Sequence, residues 1–109
     1  MTPSPATLRE DGAREALRDV IDPELGYNIV DLGLVYGITI EGGVIDVTMT
    51  MTTPGCPAQD YIVGGVERRL AEEPGVTGVF VSVVWEPTWS PRCMSAAAKA
   101  HFRIREDAP

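Results

Sequence analysis

Cys56 is the residue of this sequence whose type and position best suit metal binding or thiol chemistry. It stands in the segment TTPGCPAQD (52–60), where Pro54–Gly55 predicts a turn and Pro57 suits the first position of a helix. This pattern places Cys56 at the helix N-cap, where free amides and the helix dipole lower a thiol pKa, although Asp60 adds an opposing negative charge. The segment therefore predicts a modestly activated cysteine that binds metal or exchanges sulfur. The alternative is a small, buried apolar cysteine.

Regular elements on both sides would position this segment. Upstream, residues 44–51 alternate apolar and polar side chains, as a half-buried strand does. Downstream, an apolar residue recurs every four positions from Ala58 to Leu70, which predicts a helix running from Pro57 to Glu72. The same reasoning predicts a first helix that ends by Asp22, with Thr7 as its N-cap and Asp11 as a rival cap; its apolar stripe is Ala13, Ala16, Leu17, Val20 and Ile21. It also predicts a strand over 34–40, with Leu34, Tyr36, Ile38 and Ile40 on one face, and a strand over 76–85. A last helix is expected over 96–102, capped by Ser95.

These elements predict an α+β fold, an α/β two-layer sandwich. The order is helix-strand-strand-helix-strand-helix around a small mixed three-stranded sheet. The turn at 41–43 makes an antiparallel hairpin, and the strand over 76–85 runs parallel to 44–51 because a helix carries the chain back. We expect one domain over 7–102, with flexible tails at 1–6 and 103–109.

Composition excludes several classes of function. The 109 residues carry a net charge of −7, which repels phosphate backbones and anionic lipids, so nucleic acid and membrane are not expected as partners. The start of the chain lacks the pattern of a signal peptide, and no apolar run reaches the ~20 residues that cross a bilayer, so we expect a cytoplasmic protein. Cys56 and Cys93 are 37 residues apart, without a local zinc or redox motif, and a disulfide between them is not expected in that compartment.

Two connecting segments are unusual for solvated loops. The connector over 22–33 combines large apolar residues with acids, and the segment over 85–94 contains two tryptophans and two prolines. Such loops often carry function on a rigid scaffold. The alternative for 22–33 is that Asp22, Asp31 and the glycines only cap and turn the chain. The alternatives for the tryptophans are a docking surface and internal packing.

Three segments together resemble one family. DPELGYNIVDLGLVY (22–36), TMTTPGCP (50–57) and VWEPTWSPRCMS (84–95) match, in order and spacing, the SufT/PaaD-type family of iron–sulfur cluster assembly (FSCA) domain-like proteins. The resemblance covers residues 13–102. It implies the iron–sulfur cluster assembly fold, a role in maturing iron–sulfur proteins, and Cys56 as the reactive or metal-binding residue.

Two departures from that family affect what the resemblance implies. PaaD-type members, accessory to an aromatic-ring (phenylacetate-type) oxygenase, carry a C-terminal cysteine cluster that this chain lacks. That alternative function is therefore disfavoured against general cluster assembly. Cys93 stands where the family more often has another residue, so the resemblance assigns it no role.

The candidate ligands follow from the number and type of ligands that each metal or cluster requires. Iron–sulfur clusters usually take four thiolates, so a homodimer offering Cys56 and Cys93 from each chain is one hypothesis. Another is mononuclear iron or zinc on Cys56 with Glu24, His101 or Cys93, and a third is transient use of Cys56 alone. The predicted metal ligands are Cys56, Glu24 and Asp31, the predicted cofactor-binding residues are Cys56 and Cys93, and the further candidates are Thr53, Asp60 and His101.

The leading interpretation is a carrier or adaptor in iron–sulfur cluster assembly. Its expected partners are the assembly machinery and client apo-proteins. An enzyme is not expected, because thiol catalysis normally needs a histidine base and His101, the one histidine, is remote in sequence from Cys56. The other alternative is a metal-free protein-binding adaptor that docks through Trp85 and Trp89.

Overall fold

The computed structural model describes residues 9–52 and 58–103. Helices and strands within these ranges follow the predicted order, with two short strands added. The elements are α1 (Glu10–Leu17), β1 (Ile21–Asp22), β2 (Tyr27–Asn28), β3 (Val35–Glu41), β4 (Val44–Met49), α2 (Gln59–Ala71), β5 (Gly78–Val83), a 3-10 turn (Pro91–Cys93) and α3 (Ala96–Phe102).

The main sheet has the predicted mixed topology. Its strand order is β3-β4-β5, antiparallel between β3 and β4 and parallel between β4 and β5. Gly42 and Gly43 form the connecting turn, both with positive φ, as the tight turns of two-residue hairpins require. The α+β two-layer prediction is confirmed.

Helices α1 and α2 pack on one face of this sheet. The core-facing residues of β4 are almost fully buried, as are the apolar stripes of α1 and α2. This core contains Ala13, Ala16, Leu17, Ile45, Val47, Met49, Ile62, Val66 and Leu70. The side chain of Asp46 on the opposite face is exposed. Of the helices in the described ranges, none is long and apolar enough to cross a membrane.

A bulge in β3 changes the predicted face of that strand. Val35 pairs with Met49 and Gly37 with Thr48, so Tyr36 is an extra residue on β3. Val35 therefore takes the buried position that the alternating pattern assigned to Tyr36. A bulge inserts one residue and redirects its side chain, and Tyr36 points to the loop after β5, where its hydroxyl donates to the Pro87 carbonyl at 2.7 Å.

The start and end of α1 differ from the prediction. Its N-cap is Arg9, without a side-chain capping bond, so the predicted Thr7 cap is wrong, and Thr7 itself lies outside the described residues. The buried stripe begins only at Ala13, and packing of that stripe outweighs the local capping signal. Because α1 ends at Leu17, Ile21 belongs to β1 and is 42% exposed, although it was predicted on the apolar stripe.

Helix α2 begins two residues later than predicted. Its N-cap is Ala58, whose carbonyl accepts the bond from the Ile62 amide at 2.9 Å. The prediction that Cys56 is the N-cap is therefore wrong. The first residue that can join the buried stripe is Ala58, so packing sets the start of the helix. Cys56 lies outside the described residues, and its thiol activation stays a prediction.

Candidate functional site

Several loops meet where β4 and β5 end. The Thr50 amide, just after β4, donates to the Leu34 carbonyl at 2.8 Å, and the Val84 amide donates to Met49 at 2.8 Å. These bonds join the connector before β3 to the exits of both parallel strands. Ligand sites in sheets with parallel strands commonly form at their carboxyl ends. We call this end of the domain, formed by residues 29–34, 50–52 and 84–95, the motif end.

The tryptophan–proline loop is tied to the connector over 22–33. The Trp89 indole N–H donates to the Leu32 carbonyl at 2.8 Å, and the Ser95 amide donates to the Asp31 carbonyl at 2.7 Å. Trp89 therefore packs internally, one of the two alternatives considered for the tryptophans. Trp85 remains 40% exposed.

Cys93 lies on this loop as an exposed, free thiol. The 3-10 turn fixes its backbone, since the Cys93 amide donates to Ser90 at 2.9 Å. Gly33 has φ +80°, and a Cβ there would lie 2.2 Å from the Cys93 carbonyl oxygen. Only glycine allows this approach, so the position of Cys93 is set by direct backbone contact with the Asp31-Leu32-Gly33 segment.

Asp31 is a buried carboxylate at the centre of the motif end. Its Oδ2 accepts hydrogen bonds from Arg18 at 2.9 Å and from the Asn28 side chain at 2.8 Å. Burial raises the pKa of Asp31, but hydrogen bonds from Asn28 and Ser95 and the charge of Arg18 outweigh it and hold the pKa below the usual value of an aspartate. The hydrogen bonds of the ionised carboxylate thus connect the end of α1, strand β2 and the N-cap of α3.

Asp31→Asn is expected to lower the free energy of unfolding at neutral pH by about 1–3 kcal/mol, because the charge-assisted bonds to Arg18 and Asn28 are lost. The folded-state pKa of Asp31 is depressed, so its stabilisation is present above about pH 4 and is lost as the pH falls through the folded value. Urea unfolding of both proteins across pH 2.5–7 measures this. The difference in free energy of unfolding between wild type and Asp31→Asn should shrink at the acidic end. Asp46→Asn, at an exposed site, serves as the control. A difference that does not depend on pH would contradict the stabilising role of the ionised Asp31 carboxylate.

Tyr36 and Thr50 also face the motif end. Burial raises the pKa of Tyr36, the nearby Cys93 and Glu86 raise it further, and the neighbouring Thr50 hydroxyl only partly offsets this. The phenol therefore stays protonated and keeps its donor bond to Pro87. Thr50 Oγ1 is buried, and no partner among the described residues gives it a well-aligned hydrogen bond.

The other predicted site residues are dispersed. Glu24 is exposed in the β1–β2 turn, and Asp60 is exposed in the first turn of α2. The His101 ring lies against Tyr27, tilted by 37°, with centroids 4.8 Å apart. Cys56 and Thr53 lie outside the described residues. Within 9–52 and 58–103, no group of three His, Cys, Asp or Glu side chains could hold a metal ion, so the predicted ligand set of Cys56, Glu24 and Asp31 stays a prediction.

Sequence reasoning missed the partners that hold these residues. Arg18 lies outside the predicted apolar stripe of the first helix and was not singled out, yet it pairs with Asp31. Asn28 was not singled out, although its position three residues before Asp31 is typical of a side chain that caps a turn; its Oδ1 accepts the Asp31 amide at 2.8 Å. The short β1–β2 ladder was also missed, and its signal is Asp22, whose carboxylate accepts the amides of Glu24 and Leu25.

Comparisons with known proteins agree with this geometry. The model of a family described as "Iron-sulfur cluster assembly protein" matches residues 10–83. The Fe-S protein maturation auxiliary factor YitW of Bacillus subtilis is 47% identical over 91 residues, which are 83% of this chain and 89% of that protein. The Fe-S protein maturation auxiliary factor SufT of Staphylococcus aureus is 47% identical over 81 residues, 73% of this chain and 92% of that protein. A crystal structure of a DUF59 domain from Bacillus anthracis superposes with a TM-score of 0.83 at 46% identity, covering 88% of this chain and 92% of that one.

Proposed function

This chain belongs to the family of iron–sulfur cluster assembly proteins, and from this premise we propose that it acts in the maturation of iron–sulfur proteins as a transient carrier. Its cargo is an iron–sulfur cluster or iron, bound through Cys56 and handed to an apo-protein. Its partners are the assembly machinery and those client proteins.

The number of available ligands supports transient binding. A [2Fe–2S] or [4Fe–4S] cluster usually takes four thiolates, whereas the sequence has two cysteines. The described part of the chain contributes one of them, Cys93, and no group of three metal-ligating side chains. One copy therefore holds a cluster incompletely, and open coordination positions favour transfer. The same shortage of ligands gives no support to a structural zinc site, which needs four.

The convergence of the family segments at one end of the domain is the observation that carries the proposal. The connector over 22–33 and the loop over 84–95 are bonded to each other and to the exit of β4. In the sequence, Cys56 follows that exit and precedes Ala58, the N-cap of α2. Cys93 thus belongs to the motif end, and Cys56 follows the exit of β4 in the sequence. A homodimer through this end is the arrangement that we propose for supplying four thiolates.

A carrier is favoured over a thiol-dependent enzyme. Such an enzyme needs a general base, usually histidine, within hydrogen-bond reach of the thiol. The ring of His101, the single histidine of the sequence, lies against Tyr27 and Phe102. We therefore propose a role that does not involve thiol catalysis.

Anaerobic reconstitution tests the carrier function. The purified chain is incubated with iron, sulfide and a thiol reductant, desalted, and assayed for iron, acid-labile sulfide and visible absorbance. It is then mixed with an apo-ferredoxin, whose spectrum reports transfer. A carrier should retain a cluster and load the apo-ferredoxin faster than free iron and sulfide do. A chain that retains neither iron nor sulfide would instead be a metal-free adaptor.

A further inference from the structure

The sheet face that the helices leave uncovered forms a regular surface. Strand register places nine residues on it, in three rows across β3, β4 and β5. We call it the open face. Its rows are Glu41, Val44 and Gly78; Thr39, Asp46 and Phe80; and Gly37, Thr48 and Ser82.

Phe80 is the one large apolar side chain of the central row. It is 60% exposed and lies on the edge strand β5, although burial of a phenylalanine is worth about 1.5–3 kcal/mol. The ring lies close to Gly78, since a Cβ built there would be in van der Waals contact with Phe80 Cε2, at 3.5 Å. Phe80 does not belong to the buried core cluster. Most of the ring surface therefore remains open to solvent and available to a partner.

Asp46 pairs directly with Phe80 across β4 and β5. Adjacent strands lie about 4.8 Å apart, so these two residues are direct neighbours on the same face. The two charged residues among the nine, Glu41 and Asp46, are both acidic, and neither forms an ion pair within the described ranges. A negative charge beside an open aromatic ring defines the chemistry of this surface.

Charge complementarity indicates which kind of molecule binds the open face. A second copy would bring the same acids and a net charge of −7 against this face, and nucleic acid would bring phosphates. A cationic side chain is attracted by both groups. Arginine fits better than lysine, because its planar guanidinium stacks on a ring while its N–H groups donate to a carboxylate.

We propose that the open face binds a partner protein through an arginine side chain that stacks on Phe80 and pairs with Asp46. This goes beyond the carrier function, since neither Cys93 nor any residue of the motif end belongs to these rows. The protein would hold a basic partner on the sheet while the exposed Cys93 thiol remains accessible at the motif end.

Peptide titration of the metal-free full chain tests the proposal. The probe is a capped seven-residue peptide with arginine at alternate positions and glycine between them; matched peptides carry lysine or citrulline. Amide shifts are followed in the ¹⁵N-labelled protein. We expect shifts confined to the open face, and arginine binding about two- to fivefold tighter than lysine, as the aromatic contribution predicts. The citrulline peptide should not bind.

Substitutions provide matched controls. Asp46→Asn and Phe80→Ala should each weaken binding of the arginine peptide by about two- to fivefold. Tyr61→Ala removes an aromatic ring that is also 60% exposed, but on α2, and should change nothing, as should Glu67→Gln on the same helix. Equal affinity for the arginine and lysine peptides, shifts centred elsewhere, unchanged binding by Phe80→Ala, or no binding would overturn the proposal. None of these readouts involves iron, so such a result would leave the carrier function intact.

Discussion

Replacing Cys56 with serine is expected to reduce the iron and sulfide retained after anaerobic reconstitution by more than about tenfold. Loss of outer-shell partners alone typically lowers metal affinity 10–100-fold, and this substitution removes a thiolate ligand itself. A serine hydroxyl is not ionised at neutral pH and is a poor ligand for iron in a cluster. Iron and sulfide analysis, with the visible absorbance of the cluster, measures the effect.

Cys93→Ser is the matched control, because it removes the other thiol of the chain at an exposed position. If Cys56 alone holds the cargo, Cys93→Ser should retain it. If a dimer supplies four thiolates, both variants should lose it, and the wild type should change from monomer to dimer on loading. Retention of cluster by Cys56→Ser at the wild-type level would rule out Cys56 as the ligand.

Gly33→Ala is expected to lower the free energy of unfolding by about 2–5 kcal/mol. Its positive φ costs an alanine about 1–2 kcal/mol, and the added methyl overlaps the backbone of Cys93, which cannot move without disturbing the 3-10 turn. Urea unfolding measures the loss. The reactivity of the Cys93 thiol toward a disulfide reagent should also change, since its loop is displaced.

Gly26→Ala is the control that separates the backbone strain of a positive φ from the steric overlap of an added methyl group. Gly26 also has positive φ, +69°, but a Cβ there would meet no atom within 4 Å. This variant should lose only the conformational part, about 1–2 kcal/mol, and leave the reactivity of Cys93 unchanged. Equal losses in the two variants would show that contact between Gly33 and Cys93 contributes nothing.

The elements with strong periodicity were predictable from the sequence. The spacing of Ala58, Ile62, Val66 and Leu70 predicts a helix whose stripe is buried, and the stripe is buried. Ser95 caps α3 as predicted, accepting the Ala98 amide at 3.2 Å. In both cases the local signal and the tertiary packing favour the same conformation.

Features that depend on distant contacts were not predictable. Nothing in the alternation of β3 marks Tyr36 as an extra residue, because the bulge exists only relative to β4. The Arg18–Asp31 pair joins residues from two elements whose docking is set by the core. The motif segments could be identified by resemblance, but the bonds that join them run between backbone and side-chain groups that no periodicity encodes.

The two strand pairings of the main sheet differ in how early they can form. β3 and β4 are joined by a two-residue turn, and hairpins of this kind close within about 1–10 µs. β5 pairs with β4 only after the chain has passed through α2, and such non-local pairings form slowly. The loop over 84–95 follows β5, so it reaches Gly33 and Leu32 only once that strand is in place. We therefore expect the amides of the β3–β4 hairpin to become protected from hydrogen exchange first during refolding. The motif end should be assembled last.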